Sequence, residues 1–348
     1  MLAAFAARVG GDDPLANLEV GEQPRPTPRP GWALVRLHAA ALNHHDIWSL
    51  RGVSARPITP PLILGCDGAG TLEDYGEGTS LEGLPEGGAR VLLYPVVTCG
   101  RCVACLSDEP EACRSSSLLS EPPLHGTLAE FVVVPAVNLV PLPETVGFAE
   151  ASCLPTAYLT AYHMLFSRAG LRPGQSVLVQ GAAGGVATAS ILLGRLGGLT
   201  VYATSRSEEK RQVALDLGAE AAFPPVRETA RELVAATGGL GVDAVIETVG
   251  EPTWELSLRS VRPGGTVVVS GATGGAEPPA PLRRIFFRRI TIAGSTMGTR
   301  GELRRMVELM TTGALRPLIG ATHELADVRA GFAEMARGEV RGKIVITI

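Results

Sequence analysis

The stretch "VLVQGAAGGVATA", residues 177–189, joins a short apolar strand to a run whose apolar residues recur at helical spacing. Gly181 suits the sharp turn between them, and Gly184, followed by Gly185, lets the backbone approach a pyrophosphate. Ala187 permits close packing of the helix against the strand. The start of the helix offers unpaired N–H groups and the positive end of its dipole to a phosphate. This stretch therefore predicts a dinucleotide site.

Strand-like and helix-like segments alternate from Ser176 onward until six strands have been counted. This pattern is typical of an α/β fold with a doubly wound, six-stranded parallel sheet. The first 150 residues differ, because their short strands are separated by turns rich in proline and glycine. They predict an antiparallel or barrel-like β domain, which the last segment of the chain completes.

The second strand of the parallel sheet chooses between NAD and NADP. An NAD site usually ends this strand with a carboxylate that binds the ribose 2′-hydroxyl. Here the segment "VYATSRSEEK" has Ser205 and Arg206 at that point, with Lys210 a turn later. Two cations and a missing carboxylate favour the 2′-phosphate of NADP(H). Solvated surface residues are the alternative.

Four of the six cysteines fall within "CGRCVACLSDEPEAC", residues 99–113. They are Cys99, Cys102, Cys105 and Cys113. Two-residue gaps suit thiolates that converge on one cation better than they suit disulfides. The segment predicts a metal site, with free reduced thiols as the alternative.

The bulk composition restricts the possible partners. The chain has 348 residues, 45% of them hydrophobic and 19% charged, and a formal net charge of -4. These values predict a large core and no general attraction to nucleic acid or to an anionic membrane. The apolar runs are too short to span a bilayer. We therefore expect a cytoplasmic protein with a small-molecule substrate.

Several motifs together resemble the medium-chain dehydrogenase/reductase superfamily, in particular bacterial zinc-type alcohol dehydrogenase-like and quinone oxidoreductase proteins. They are "ALNHHDIWSLRG", "LGCDGAG", the cysteine segment, "GTLAEFVVVP", "CLPTAYLTAYHML", "VLVQGAAGGVA", "GSTMGTR" and "GKIVITI". The resemblance implies a GroES-like catalytic domain over 1–154 and 298–348, and a Rossmann NADP-binding domain over 155–297. It also implies an active site in the cleft between them, a structural zinc ion on the four clustered cysteines, and a homodimer or homotetramer.

Further cofactor contacts follow from the same family pattern. Val186 resembles the family position that presses on the nicotinamide ring. Ser270 and Gly271 end another strand of the sheet. Ligand-binding loops lie at such carboxyl ends of parallel strands. We expect these residues to contact the cofactor as well.

The resemblance leaves open whether the chain binds a catalytic zinc ion. Classical zinc-containing members place a cysteine where this chain has Asn43, a His-Glu pair where it has Cys66 and Asp67, and a cysteine at Cys153. Zinc-independent quinone reductases carry asparagine at the first position. A second zinc ion on Cys66, Asp67 and Cys153 is therefore one hypothesis, with His45 as a fourth ligand or a proton donor.

In the zinc-free hypothesis, hydrogen-bond donors replace the metal. Asn43 and His45 are the candidates, and Asp46 is a candidate for fixing an imidazole tautomer. The leading prediction is an NADPH-dependent reductase of a small conjugated carbonyl compound or quinone. The alternatives are a zinc-dependent alcohol or aldehyde dehydrogenase, and an NADPH-binding regulatory or scaffolding protein without turnover.

Overall fold

Most strands in the two outer parts of the chain pair antiparallel, whereas the strands of the middle segment are all parallel. The computed structural model describes residues 1–107 and 109–348. The chain divides into a first unit, Met1–Leu159 with Gly298–Ile348, and a second unit, Thr160–Met297. No helix within the described residues is long and apolar enough to cross a membrane.

The first unit consists mainly of short strands. They are β1 (Leu2–Ala6), β2 (Leu18–Glu22), β3 (Trp32–Ala41), β4 (Leu62–Ile63), β5 (Asp67–Tyr75), β6 (Arg90–Leu93), β7 (Val96–Val97), β8 (Ser117–Leu118), β9 (Phe131–Pro135) and β10 (Leu139–Pro141). Two more, β17 (Ile319–Glu324) and β18 (Lys343–Thr347), come from the end of the chain. The main sheet runs β10-β6-β5-β3-β18-β17, and β9 also pairs with β3. Smaller sheets contain β2-β1-β4 and β7-β8.

The helices of this unit are short. They are α1 (His44–Leu50), α2 (Val103–Leu106), α3 (Phe148–Ser152), α10 (Arg300–Thr311) and α11 (Val328–Arg337), with 3-10 turns at Pro14–Asn17, Pro110–Ala112, Ala136–Asn138 and Leu325–Asp327. The π-helical turn at Leu154–Tyr158 is followed by α4 (Leu159–Tyr162), where the second unit begins, and by a second π-helical turn at His163–Arg168.

The register of the main sheet brings three distant parts of the sequence together. Ala41, at the end of β3, lies opposite Asp67 of β5 on one side and opposite Val345 of β18 on the other. Apolar residues from β3, β18 and α11 fill the core beside them. The residues that flank these positions, Asn43 and Lys343, are therefore delivered to one place by backbone pairing.

The second unit is an α/β sandwich. Its strands are β11 (Ser176–Gln180), β12 (Thr200–Thr204), β13 (Ala221–Phe223), β14 (Val242–Glu247), β15 (Val261–Val269) and β16 (Thr291–Gly294). The helices are α5 (Gly185–Leu196), α6 (Glu208–Asp216), α7 (Thr229–Ala236), α8 (Glu251–Ser260) and α9 (Leu282–Arg288). All strands are parallel, in the order β13-β12-β11-β14-β15-β16. The strand order reverses between β11 and β14, which is where such sheets bind ligands.

The predicted α/β class with a six-stranded parallel sheet is confirmed, because apolar strand runs and amphipathic helices alternate as read. The basic stretch around Arg283 and Arg288 forms α9. Arg284 donates to the Leu258 carbonyl and Arg288 to the Val261 carbonyl, so tertiary contacts hold this helix.

Candidate functional site

The turn after β11 has the geometry of a phosphate cradle. Gly181 has a φ of 83°, a left-handed conformation that favours glycine. Gly184 is exposed and precedes α5, and among the described residues no atom lies within 4 Å of a Cβ built on it. Gly185 begins the helix, Val186 is half-buried and Ala187 is buried. A phosphate fits this opening, where backbone N–H groups and the helix dipole favour an anion.

The loop after β12 presents cations. Ser205 follows the strand, Arg206 is exposed, and Lys210 lies in the first turn of α6, which the Ser207 hydroxyl caps. Arg211, which the sequence reasoning missed, donates from Nη1 to the Ser205 carbonyl at 2.8 Å. Arg211 thus helps to hold the loop after β12. Its position in a helix with many charged residues gave no signal for this contact in the sequence.

Ser270 and Gly271 follow β15 at the same edge of the sheet. The Ser270 N–H donates to the Glu247 carbonyl at 3.0 Å, which ties this loop to the end of β14. The predicted cofactor residues of the second unit therefore all lie at the carboxyl ends of its strands.

The four clustered cysteines are gathered in a lobe whose ends are paired by β7 and β8. Their ligand atoms all lie within 4.8 Å of one another. The Sγ···Sγ distances are 3.5 Å from Cys102 to Cys105, 3.7 Å from Cys113 to Cys99 and 3.9 Å from Cys99 to Cys105. Four Zn–S bonds of about 2.3 Å in a tetrahedron place the sulfurs about 3.8 Å apart. The lobe fits a structural zinc ion.

The backbone of the lobe prepares a thiolate. N–H groups of Arg101 and Cys102 point to Cys99 and lower its pKa to about 6. Gly100, between them and Cys99, has a φ of 68° and turns the backbone so that they can do so. Because the thiolate is the form that binds a metal, this local field favours zinc.

A buried cation stands at the centre of the predicted catalytic residues. Lys343 is 3% exposed, and its Nζ donates to the Leu42 carbonyl at 2.8 Å, to Asn43 Oδ1 at 2.6 Å and to Asp67 Oδ2 at 3.0 Å. Asn43 Nδ2 donates to Asp67 Oδ2 at 2.9 Å. We name these three side chains, Asn43, Asp67 and Lys343, the lysine cluster.

Lys343 was missed in the sequence reasoning, although a signal was present. It opens the apolar strand "GKIVITI", where a lysine at a buried strand position needs a partner of opposite charge. The sequence offers no way to see that this partner is Asp67, which lies 276 residues earlier.

Asp46 is committed to the backbone. One carboxylate oxygen accepts from the Asn43 N–H and the other from the Gly65 N–H, each at 2.9 Å. The first of these bonds is half of a capping box that begins α1. The predicted role of Asp46 in fixing an imidazole therefore finds no hydrogen bond to support it. Asp46 instead positions the start of α1 against the loop that carries Cys66.

His45 is half-buried, and its Nε2 is buried without a hydrogen-bond partner among the described residues. Asn43 differs, since Lys343 binds its oxygen and its amide hydrogens face Asp67 and the Ala41 carbonyl. Of the two predicted donors, His45 is the one that is left with a polar atom to offer a substrate.

The two remaining thiols are buried and point to different partners. Cys66 Sγ lies 3.4 Å from Thr156 Oγ1 and 3.6 Å from Asn43 Nδ2, whereas Cys153 Sγ lies 3.5 Å from the Ala149 carbonyl. Burial raises the pKa of the Cys66 thiol well above its ordinary value and the pKa of Cys153 to about 12. Both therefore stay protonated near neutral pH.

These residues do not fit a catalytic zinc ion. Among the described residues, only the four lobe cysteines form a group of three or more ligand atoms within 4.8 Å. Asp67 Oδ1 is buried without a hydrogen-bond partner in this part of the chain, but Oδ2 already binds Lys343. A zinc ion on Asp67 would stand beside that ammonium, and like charges repel in a buried site. The predicted ligand set of Cys66, Asp67 and Cys153 is thus not assembled.

A cavity of about 520 Å³ lies at the opposite, amino edge of the parallel sheet, beside Ser176, Asp243 and Arg262. Its charged groups satisfy one another, since Asp243 accepts from the Arg262 Nε at 2.8 Å and from the Ser176 N–H at 2.8 Å. These contacts join the starts of β11, β14 and β15. We assign the cavity no part in the chemistry.

Comparison with known proteins identifies the family. Residues 29–144 match the alcohol dehydrogenase GroES-like domain, and residues 185–312 match the zinc-binding dehydrogenase domain. A solved NAD-dependent alcohol dehydrogenase is 36% identical, with a TM-score of 0.93 and 100% of both chains covered. The chain is a medium-chain dehydrogenase/reductase.

Two curated relatives show the range of this family. Alcohol dehydrogenase 1 of Emericella nidulans is 30% identical, with 99% of this chain and 97% of the relative covered. Acryloyl-coenzyme A reductase of Metallosphaera sedula is 29% identical, with 94% of this chain and 96% of the relative covered. As a zinc-type alcohol dehydrogenase-like member, this medium-chain dehydrogenase/reductase is an oxidoreductase, and its family implies a nicotinamide cofactor and zinc.

The thiol environments predict three levels of reactivity. With zinc bound, we expect no cysteine to react quickly with iodoacetamide at pH 8. Chelation should expose the four lobe thiols alone, because Cys66 and Cys153 are buried and protonated. Denaturation should expose all six. Peptide mass spectrometry after short labelling pulses measures each site, and rapid native labelling of Cys66 or Cys153 would contradict the assignment.

Proposed function

We propose that this medium-chain dehydrogenase/reductase is a cytoplasmic, NADPH-dependent reductase of a small conjugated carbonyl compound or quinone that works without a catalytic zinc ion. The lysine cluster carries the proposal. Where classical zinc members have ligands, this chain has Asn43 and Asp67 hydrogen-bonded to each other and to the buried Lys343.

The proposed chemistry needs donors rather than a Lewis acid. Hydride adds to the carbon that is conjugated with the carbonyl, and the negative charge spreads onto the carbonyl oxygen. Positioned hydrogen-bond donors stabilise such an oxygen in a site that excludes water. A proton must then reach the reduced product. His45 has a buried nitrogen with no hydrogen-bond partner in the part of the chain that the structure describes, and histidine is the residue type that most often transfers protons near neutral pH.

Asn43 has a different role in this proposal from the one predicted for it. Lys343 binds its oxygen and Asp67 receives its amide hydrogen, so Asn43 links the two charges of the buried pair. The cluster then supports the start of α1, which holds His45, and His45 faces the substrate. We propose His45 as the catalytic residue and the lysine cluster as its support.

Relatives support the substrate class without deciding it. One relative similar to this chain is named as a reductase of acryloyl-coenzyme A, a thioester whose carbonyl is conjugated with a carbon–carbon double bond. The alcohol dehydrogenases similar to it favour the zinc-dependent alternative. A regulatory NADPH-binding protein without turnover is the third possibility, and the turnover measurement below separates it from the other two.

Metal content and turnover test the proposal together. The purified chain should contain one zinc ion per chain, held by the lobe, and should oxidise NADPH with quinones or enones. Cys66→Ser should keep that zinc ion, because Cys66 is not one of its ligands. Elemental analysis and absorbance at 340 nm measure the two quantities.

Other outcomes select the alternatives. Two zinc ions per chain, with one lost in Cys66→Ser, would establish the zinc-dependent enzyme. NADPH binding with no turnover of quinone, enone or aldehyde would establish the regulatory protein. As a further check on the proton donor, His45→Gln should lower kcat by about 100-fold while zinc content and NADPH affinity stay unchanged.

The preference for NADPH is supported by Arg206, in the loop after β12, and by Lys210, in the first turn of α6. A charge-assisted hydrogen bond contributes about 1.5–3 kcal/mol, so the double change Arg206→Ala with Lys210→Ala should raise the Kd of NADPH roughly 100-fold. The Kd of NADH should change by less than about threefold, because NADH has no 2′-phosphate.

Arg231→Ala is the matched control, since Arg231 is an exposed cation on α7 of the same unit. Nucleotide fluorescence titrations give both constants. Equal losses for NADPH and NADH in the double variant would contradict the NADP(H) assignment.

We also propose that the chain forms a homodimer or homotetramer through the edge of the parallel sheet. The last strand of the sheet, β16, exposes 42% of Ile292, and the neighbouring α9 exposes 61% of Phe286 and 73% of Phe287. Exposed apolar edges of this kind are typical of association surfaces.

Phe287→Asp should shift the chain to monomers in light scattering after gel filtration. Leu240→Asp is the control, because Leu240 is 61% exposed at another place on the second unit. A monomeric unaltered chain at micromolar concentration would reject the proposal.

A further inference from the structure

A hydrogen-bonded chain of buried polar side chains runs beneath the carboxyl edge of the parallel sheet in the second unit. We name this edge, where β11, β12 and β14 end, the nucleotide edge. Thr204 Oγ1 donates to Gln180 Oε1 at 2.5 Å, Gln180 Nε2 donates to Ser257 Oγ at 2.9 Å, and Ser257 Oγ donates to Glu247 Oε2 at 2.6 Å. Each of the four residues is at most 1% exposed. The donors all point the same way, toward the carboxylate, so every member keeps a consistent partner.

Glu247 is the end point of this chain and a hub of its own. Its Oε1 accepts from the Val249 N–H at 2.8 Å and from the Gly250 N–H at 3.0 Å. The Thr253 hydroxyl lies 2.9 Å from Oε1 and 3.0 Å from Oε2. The carboxylate therefore fixes the turn that follows β14. Gly250 has a φ of 92°, and a Cβ on it would lie 2.1 Å from the Gly275 carbonyl oxygen.

The positions of these residues are those of the nucleotide loops. Gln180 ends β11 and directly precedes Gly181, Thr204 ends β12 and directly precedes Ser205, and Glu247 ends β14. The turn after Glu247 in turn holds the loop after β15, because the Gly274 N–H donates to the Val249 carbonyl at 2.7 Å. One hydrogen-bonded chain thus spans the ends of three neighbouring strands at the reversal of strand order.

We propose that Gln180, Ser257 and Glu247 are positioning residues for the dinucleotide: they fix the phosphate turn at Gly181 and the turn after β14 relative to each other before the cofactor binds. This inference rests on the proposed dinucleotide site but not on the substrate or on the NADP preference. A preorganised site loses less free energy to ordering when its ligand binds. Breaking this hydrogen-bonded chain should therefore lower the affinity for the cofactor more than it lowers the stability of the folded protein.

Ser257→Ala breaks the hydrogen-bonded chain at its middle, and alanine is a good helix former in α8. The helix also supplies a matched control: Ser260 is equally buried at 0% exposure, and its hydroxyl has no hydrogen-bond partner among the described residues. Both changes remove one buried hydroxyl from the same helix. Only Ser257→Ala interrupts the link between Gln180 and Glu247.

We expect Ser257→Ala to raise the Kd of NADPH and of NADH by a similar factor, about tenfold, which is the effect of one buried hydrogen bond. The KM for the cofactor should rise with little change in kcat. Ser260→Ala should leave both constants unchanged. Ser257→Thr, which keeps the hydroxyl, should restore affinity. Fluorescence titration and thermal unfolding of each variant supply the comparison.

Gln180→Met gives an independent break in the same chain. If the residues act as one unit, the double variant with Ser257→Ala should weaken binding by less than the product of the two single effects. Equal Kd values for Ser257→Ala and Ser260→Ala, or fully multiplicative effects in the double variant, would overturn the positioning role alone. An unaltered chain that binds neither nucleotide would overturn it together with the proposed cofactor.

Discussion

A single buried ammonium group holds the lysine cluster of the first unit together. Lys343 binds the Leu42 carbonyl, the Asn43 amide and the Asp67 carboxylate, so the end of β3 and the starts of β5 and β18 meet at one side chain. A buried charge needs such a full set of partners, and removing one partner from a buried pair costs about 3–5 kcal/mol. The orientation of Asn43 and the surroundings of Cys66 both depend on this pair.

The two units solve the same physical problem with opposite charges. In each, several backbone segments end at one edge of a sheet, and their polar groups must be satisfied away from water. The first unit uses a cation that donates three hydrogen bonds. The second unit uses the Glu247 carboxylate, which receives bonds from two backbone N–H groups and from two hydroxyls. Both charged groups hydrogen-bond to the backbone or side chains around them.

Local patterns in the sequence predict the fold and two of its sites because each depends on neighbouring residues. The alternation of strands and helices identifies the parallel sheet, the turn around Gly181 predicts a nucleotide site, and the spacing from Cys99 to Cys113 predicts the cluster of four thiols that the structure shows. These features need no knowledge of distant contacts.

The surroundings of the remaining site residues depend on distant pairing, which the sequence does not show. From the sequence, Asn43 is a candidate donor to a substrate, but in the structure it hydrogen-bonds to Lys343 and Asp67. Asp46 is a candidate partner for histidine, but in the structure its oxygens accept from backbone N–H groups. Cys66 and Cys153 have the right chemistry for zinc, but both are buried. The Cys66 sulfur contacts Thr156, whereas the Cys153 sulfur contacts the Ala149 carbonyl. Residue type alone cannot show which of several possible partners a side chain will bind in the folded protein.

The insertion of the second unit into the first has a consequence for biosynthesis. Residues 160–297 form one continuous segment, so every member of the hydrogen-bonded chain at the nucleotide edge has been made before Lys343 is added. Asp67 must wait for a partner that follows it by 276 residues. On the ribosome, the nucleotide edge can therefore mature first, while Asp67 stays without its counter-charge until strand β18 emerges and closes the first unit.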